Sequence, residues 1–144
     1  MSVPARVSVV TLGVADVVRA TEFYEALGWK PSSASVPGLV TFFDTAGGRL
    51  ALYGSTDLTA DAGVLPRAGN DFRGVAVAIN VDRAEEVDEA LRAAVQAGAT
   101  LAKAGVETEW GGYLGYFTDP DGHLWEVCYN PGFPNDANGV PQLP

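Results

Sequence analysis

The same order of elements occurs twice along the chain, and this repetition limits the folds open to it more than any other feature. Residues 7–14, "VSVVTLGV", are β-branched and apolar, the pattern of a buried strand. Asp16 then stands where an N-cap belongs, ahead of "VVRATEFYEALGW". In that stretch Val18, Phe23 and Leu27, with Tyr24 beside Phe23, form a helical stripe, and Gly28 closes it. Residues 39–43 and 49–53 read as strands around the turn "DTAGG". The second half starts again with a buried strand, "GVAVAINV" at 74–81, and Asp82 precedes the helix "AEEVDEALRAAVQAG". Strands at 114–118 and 124–129 then flank the turn "DPDGH". Without a gap, the later halves align 75 residues apart, Leu39 with Leu114, Phe42 with Phe117, Asp44 with Asp119 and Gly47 with Gly122. The first strands align 67 apart, Val14 with Val81. Such matches are short, and the shared order of elements is what makes the repeat credible.

A strand-helix-strands unit leaves one sheet face bare, so two units are expected to pair and bury apolar surface. The expected organisation is a first module at 1–54, a linker at 55–73 ("STDLTADAGVLPRAGNDFR"), a second module at 74–130 and an extended, proline- and glycine-rich tail at 131–144. All of this suits one structural domain of 144 residues, 47% hydrophobic.

A formal charge of -9 argues against nucleic acid, where cationic contacts to phosphate carry the affinity, and against anionic membrane surfaces. It is compatible with a cationic ligand. The start, "MSVPARVSVVTLGV", lacks the pattern of a signal peptide, and no segment approaches the roughly 20 apolar residues of a membrane span. One cysteine, Cys128, excludes an internal disulfide, so a cytoplasmic location is expected. With a single histidine as well, the common cysteine- and histidine-rich zinc sites are excluded.

Two stretches, "TLGVADVVRATEFYEALGW" and "GYFTDPDGHLWEVCYNP", resemble the vicinal oxygen chelate superfamily, which includes glyoxalase I, bleomycin-resistance proteins and extradiol dioxygenases. The resemblance covers nearly the whole chain apart from the tail. It implies an α+β fold, two βαβββ modules in tandem forming a curved mixed sheet around a cavity, commonly within a homodimer. It does not imply one reaction, since a fold hosts many. Metal-dependent members bind a divalent ion through four strand positions, which transfer onto Val9, Ala51, Ala76 and Glu126. The internal repeat pairs the same positions, Val9 with Ala76 and Ala51 with Glu126. Three of these side chains are hydrocarbon, so no cofactor is expected, and a divalent metal is disfavoured.

His123 and Glu126 lie three apart, and side chains alternate faces along a strand, so the two cannot chelate one ion. His123 is read as a turn or surface residue. Glu126, between Trp125 and Val127, is a carboxylate on an apolar strand, either on the solvent side of an edge or in a pocket as hydrogen-bond acceptor or base. Trp110 and Tyr113, beside Gly111 and Gly112, suit a pocket wall or lid facing Glu126. Phe42, Tyr53 and Tyr116 could line the same cavity or pack as core, whereas Phe23 and Tyr24 read as core. Cys128 shares a strand face with Glu126, which disfavours a thiolate nucleophile. The glycine pair Gly47–Gly48 is a hairpin turn, not a phosphate loop. The expectation is an apolar, aromatic-lined site that binds a small organic molecule. The alternative is a lyase, isomerase, hydrolase or dioxygenase using Glu126.

Overall fold

The computed structural model describes residues 2–67, 69 and 71–144. The chain divides into two compact units, Met1–Arg67 and Ala68–Pro144.

The first unit runs β1 (Val10–Val14), α1 (Val17–Ala26), β2 (Val40–Thr45), β3 (Gly48–Gly54) and α2 (Ser55–Ala62). Its sheet has the order β1-β3-β2, with β1 parallel and β2 antiparallel to the central β3. Asp16 caps α1 as expected, its carboxylate accepting from the Arg19 backbone N–H at 3.1 Å. The buried stripe of α1 is Val17, Ala20, Phe23 and Tyr24. Val18, assigned to that stripe from sequence, is instead exposed, because the face that meets the sheet is rotated by one residue. Phe43, Leu50 and Leu52 meet this stripe, with Tyr24, Trp29 and Phe43 in one aromatic cluster.

Two expectations for this half are corrected. The first module has three strands, not four: where the fourth would lie, only the single bridges Pro31↔Phe43 and Val36↔Val40 form. The stretch 55–73 opens as helix α2, which ends on Gly63 in the left-handed region (φ 69°). Residues 68 and 70 of that stretch lie outside the described residues.

The second unit is a full βαβββ module: β4 (Ala76–Val81), α3 (Ala84–Ala97), β5 (Thr100–Glu107), β6 (Tyr113–Thr118) and β7 (Leu124–Tyr129). Its sheet has the order β4-β7-β6-β5, with β4 and β7 parallel and the other pairs antiparallel. The long amphipathic α3 buries Val87, Leu91 and Ala94. Below them lie Phe117, stacked on Trp125 at 6.2 Å, and Val127, which is fully buried. Gly115 lets this happen: a Cβ there would collide with Leu91 and with the Lys103 carbonyl of β5.

The repeat holds in three dimensions, with one correction. Thr11 pairs with Ala51, and Ala78 with Glu126, as the 67- and 75-residue spacings require. In the hairpins, however, Phe42 pairs with Ala51 whereas Tyr116, not Phe117, pairs with Glu126. The gapless alignment is therefore one residue out of step in β2 and β6. The second turn is longer, as Thr45 pairs directly with Gly48 while Asp119 bonds to His123 around Pro120–Gly122. Burial agrees: Phe43, not Phe42, is the counterpart of Phe117.

The tail is not simply extended. A bridge Asn135↔Pro141 closes it around Asp136, whose Oδ1 accepts from the Asn138 and Val140 N–H groups. Asn135 then donates to the Asn80 carbonyl and to Asp82 Oδ1, both at 2.9 Å, which pins the tail to the end of β4.

Candidate functional site

Strand alternation sorts the second unit's side chains onto two faces. Gly115, Phe117, Trp125 and Val127 face α3. Leu114, Tyr116, Leu124, Glu126 and Cys128, with Ala76 and Ala78 of β4, face the other way. Glu126 therefore sits on the face opposite the helix, half-buried, with Tyr116 as its direct cross-strand partner. The Tyr116 hydroxyl donates to Glu126 Oε2 at 2.7 Å. This bond, then burial, then the Glu126 charge push the Tyr116 phenol up to about 12. Burial, and after it the Glu126 charge and a hydrogen bond to that carboxylate, push the Cys128 thiol up to about 11. The Glu126 side chain is thus flanked by a phenol and a thiol that both keep their protons near neutral pH, on a floor of Leu114, Leu124 and alanines.

Trp110 is half-exposed, in the β5–β6 turn closed by Thr108 N–H to Gly112 O at 3.0 Å and by Gly112 N–H to Thr108 Oγ1 at 2.9 Å. Its indole lies against Gly112, where a Cβ would overlap the ring and fall 2.7 Å from the Tyr129 carbonyl oxygen. The indole therefore covers Gly112 beside the end of β7. Tyr113 lies elsewhere. It belongs to the helix face, where its hydroxyl bonds Asp88 Oδ1 and Oδ2 at 3.0 and 3.2 Å, and that bond is the first cause of its raised pKa. The expectation that Trp110 and Tyr113 form one wall is thus corrected. Tyr113 already belongs to β6, and three residues separate it from Tyr116.

Phe42 and Tyr53 lie in the first unit, half-buried on the face of its sheet opposite α1, alongside Thr11 and Ala51. A groove of about 450 Å3 in the second unit lies elsewhere, between α3 and β5, along Leu91, Val95 and Leu101. No expected site residue lines it.

His123 lies where a turn residue should, its N–H donating to Asp119 Oδ1 at 2.9 Å, on the strand parity opposite Glu126. At the four transferred metal positions, Val9 precedes β1, Ala51 and Ala76 are hydrocarbon, and Glu126 is bonded to Tyr116. Among the described residues no three His, Cys, Asp or Glu side chains come together as a ligand set. One carboxylate beside a thiol held protonated does not fit a divalent cation, which calls for several anionic or imidazole donors. The missed element was the Tyr116–Glu126 pair, ten residues apart, whose signal was the hairpin register around "DPDGH".

The strand-helix-strand units define a glyoxalase-type fold, and residues 6–127 match the family model described as Glyoxalase/Bleomycin resistance protein/Dioxygenase superfamily; the chain belongs to that superfamily. Among solved structures it is similar to a glyoxalase-related enzyme from Fulvimarina pelagi, at 33% identity and TM-score 0.86, covering 96% of this chain and 97% of that one. It is also similar to a glyoxalase/bleomycin resistance protein/dioxygenase family enzyme from Burkholderia phytofirmans PsJN (26% identity, TM-score 0.72, 85% and 96% covered). A third is a lactoylglutathione lyase from Agrobacterium tumefaciens (26%, 0.67, 88% and 95%). No curated protein matches the chain. Among the described residues no helix is long and apolar enough to cross a membrane.

Proposed function

We propose that this protein binds a small organic molecule on the open sheet face of its second unit, without a divalent metal. Glu126 orients the ligand and the Trp110 indole stacks on it. The observation that carries this reading is the Glu126 carboxylate, fixed through Oε2 by Tyr116 on an otherwise apolar floor. A buried or half-buried carboxylate is costly unless it is paired, and one bond from a neutral phenol leaves acceptor capacity for a ligand donor. A cation or a hydrogen-bond donor on a flat ring suits it. Phe42 and Tyr53 offer a comparable aromatic surface on the first unit. The lone cysteine, buried and held as a thiol, is in keeping with a reducing cytoplasm.

The test is calorimetric titration with flat aromatic amines and their uncharged analogues. Preference for the amine, lost in Glu126→Gln, supports the reading; equal binding to wild type and variant overturns it.

A second reading has its own support: the Fulvimarina relative, 33% identical, is described as an enzyme. In that case Glu126 acts as a base and Tyr116 positions it. Turnover of ketoaldehyde and catechol panels, with and without added metal, separates the two. Turnover abolished by Glu126→Gln favours the enzyme.

A further inference from the structure

We infer that Arg73 and His123 form an acid-released latch that holds the chain entering the second unit against the Asp119–His123 turn. Arg73 Nη1 lies 3.0 Å from His123 Nδ1. A guanidinium has five N–H donors, no acceptor, and stays protonated, so the imidazole must be the acceptor in this contact. His123 is therefore neutral, with its proton on Nε2. The same guanidinium donates through Nη2 to the Asp121 carbonyl at 2.9 Å and to the Gly69 carbonyl at 3.4 Å. Arg73 thus joins three points: the segment before β4, the turn backbone, and the chain's single imidazole.

The turn that presents His123 is rigid. Asp119 Oδ1 accepts from the Asp121 and His123 N–H groups at 3.0 and 2.9 Å, and Gly122 takes the left-handed conformation at φ 83°. Both Asp119 and Asp121 are buried. Protonation of Nδ1 places two donors 3.0 Å apart, one on each of two cations, and the contact is lost. Among the described charged groups, Arg73 contacts the imidazole directly, and Asp119 and Asp121 stand in the turn that carries it. The sign follows directly. The latch is closed above the imidazole titration and opens as pH falls through it, freeing the segment ahead of β4. Nothing in this depends on Glu126, which faces the other side of the sheet.

Because the chain has one histidine, its ring signals are assigned without mutation. Long-range proton–nitrogen correlation on the full-length protein reads the tautomer at pH 8. Amide signals of residues 71–74 and the Arg73 guanidinium signals are then followed down to pH 5. The expected result is an Nε2-protonated ring at pH 8, with the Arg73 signals lost and the 71–74 signals displaced in step with imidazole protonation. In Arg73→Gln the imidazole still titrates, but the 71–74 signals no longer follow it. An Nδ1-protonated ring at pH 8, or segment signals indifferent to the imidazole, overturns the inference.

Discussion

Glu126 is the residue on which the chemistry of the second unit turns, and its neighbours set what it can do. The Tyr116 hydroxyl occupies one carboxylate oxygen at 2.7 Å. Replacing the charge while keeping the shape, Glu126→Gln, is expected to weaken binding of a cationic ligand by about 1.5–3 kcal/mol, the worth of a hydrogen bond to a charged group, checked by calorimetry. The same substitution removes the Glu126 charge and leaves the Tyr116 hydroxyl only a neutral amide acceptor, which holds the phenol proton less tightly. Ultraviolet titration should therefore show one tyrosine ionising at about 12 in the wild type and nearer the ordinary phenol value in the variant. Since the folded protein holds that proton more tightly than the unfolded chain, the contribution to stability is complete below the ordinary phenol value. It is lost as pH rises toward about 12. The metal expectation also belongs at this scale. With hydrocarbon at Ala51 and Ala76, elemental analysis should find no stoichiometric divalent ion. About one zinc, nickel, iron or manganese per chain, lost on Glu126→Ala, would contradict it.

Among elements, α3 is held to its sheet by packing and by one polar tie. Tyr113→Phe removes the bond to Asp88 and is expected to lower the denaturant midpoint slightly, without touching the Glu126 face. Gly105→Val drives a side chain into Tyr113 and Asp88 and should cost about 1–3 kcal/mol, with exchange at β5 raised most. The β5–β6 turn gives a contrasting case. Gly112→Val displaces the Trp110 indole and also meets the Tyr129 carbonyl of β7, so binding and melting temperature should fall together. The N-cap at Asp16, the burial of Phe23 and Tyr24 and the β7 span were legible in the sequence because each depends on near neighbours. The parity of Tyr113 was not recognised, since a residue beside two glycines reads as loop until its strand partner, Tyr129, is known.

For the whole molecule, the prediction that remains is assembly. The sequence resemblance implies a two-fold dimer, which we propose for this chain; light scattering at micromolar concentration should then give twice the 15.0 kDa chain mass. The tail offers little support for exchange between partners, because Asn135 ties it to its own unit. By itself the sequence determined the α+β class, the twofold order of elements and the poverty of metal donors. These follow from periodicity and composition, which are local quantities. Only the tertiary structure decided that the first module lacks its fourth strand and that Tyr116 rather than Phe117 meets Glu126. It also decided that Tyr113 turns to the helix face, away from Glu126. Register is a relation between strands distant in sequence, and one extra residue in a turn reverses which side chains share a face.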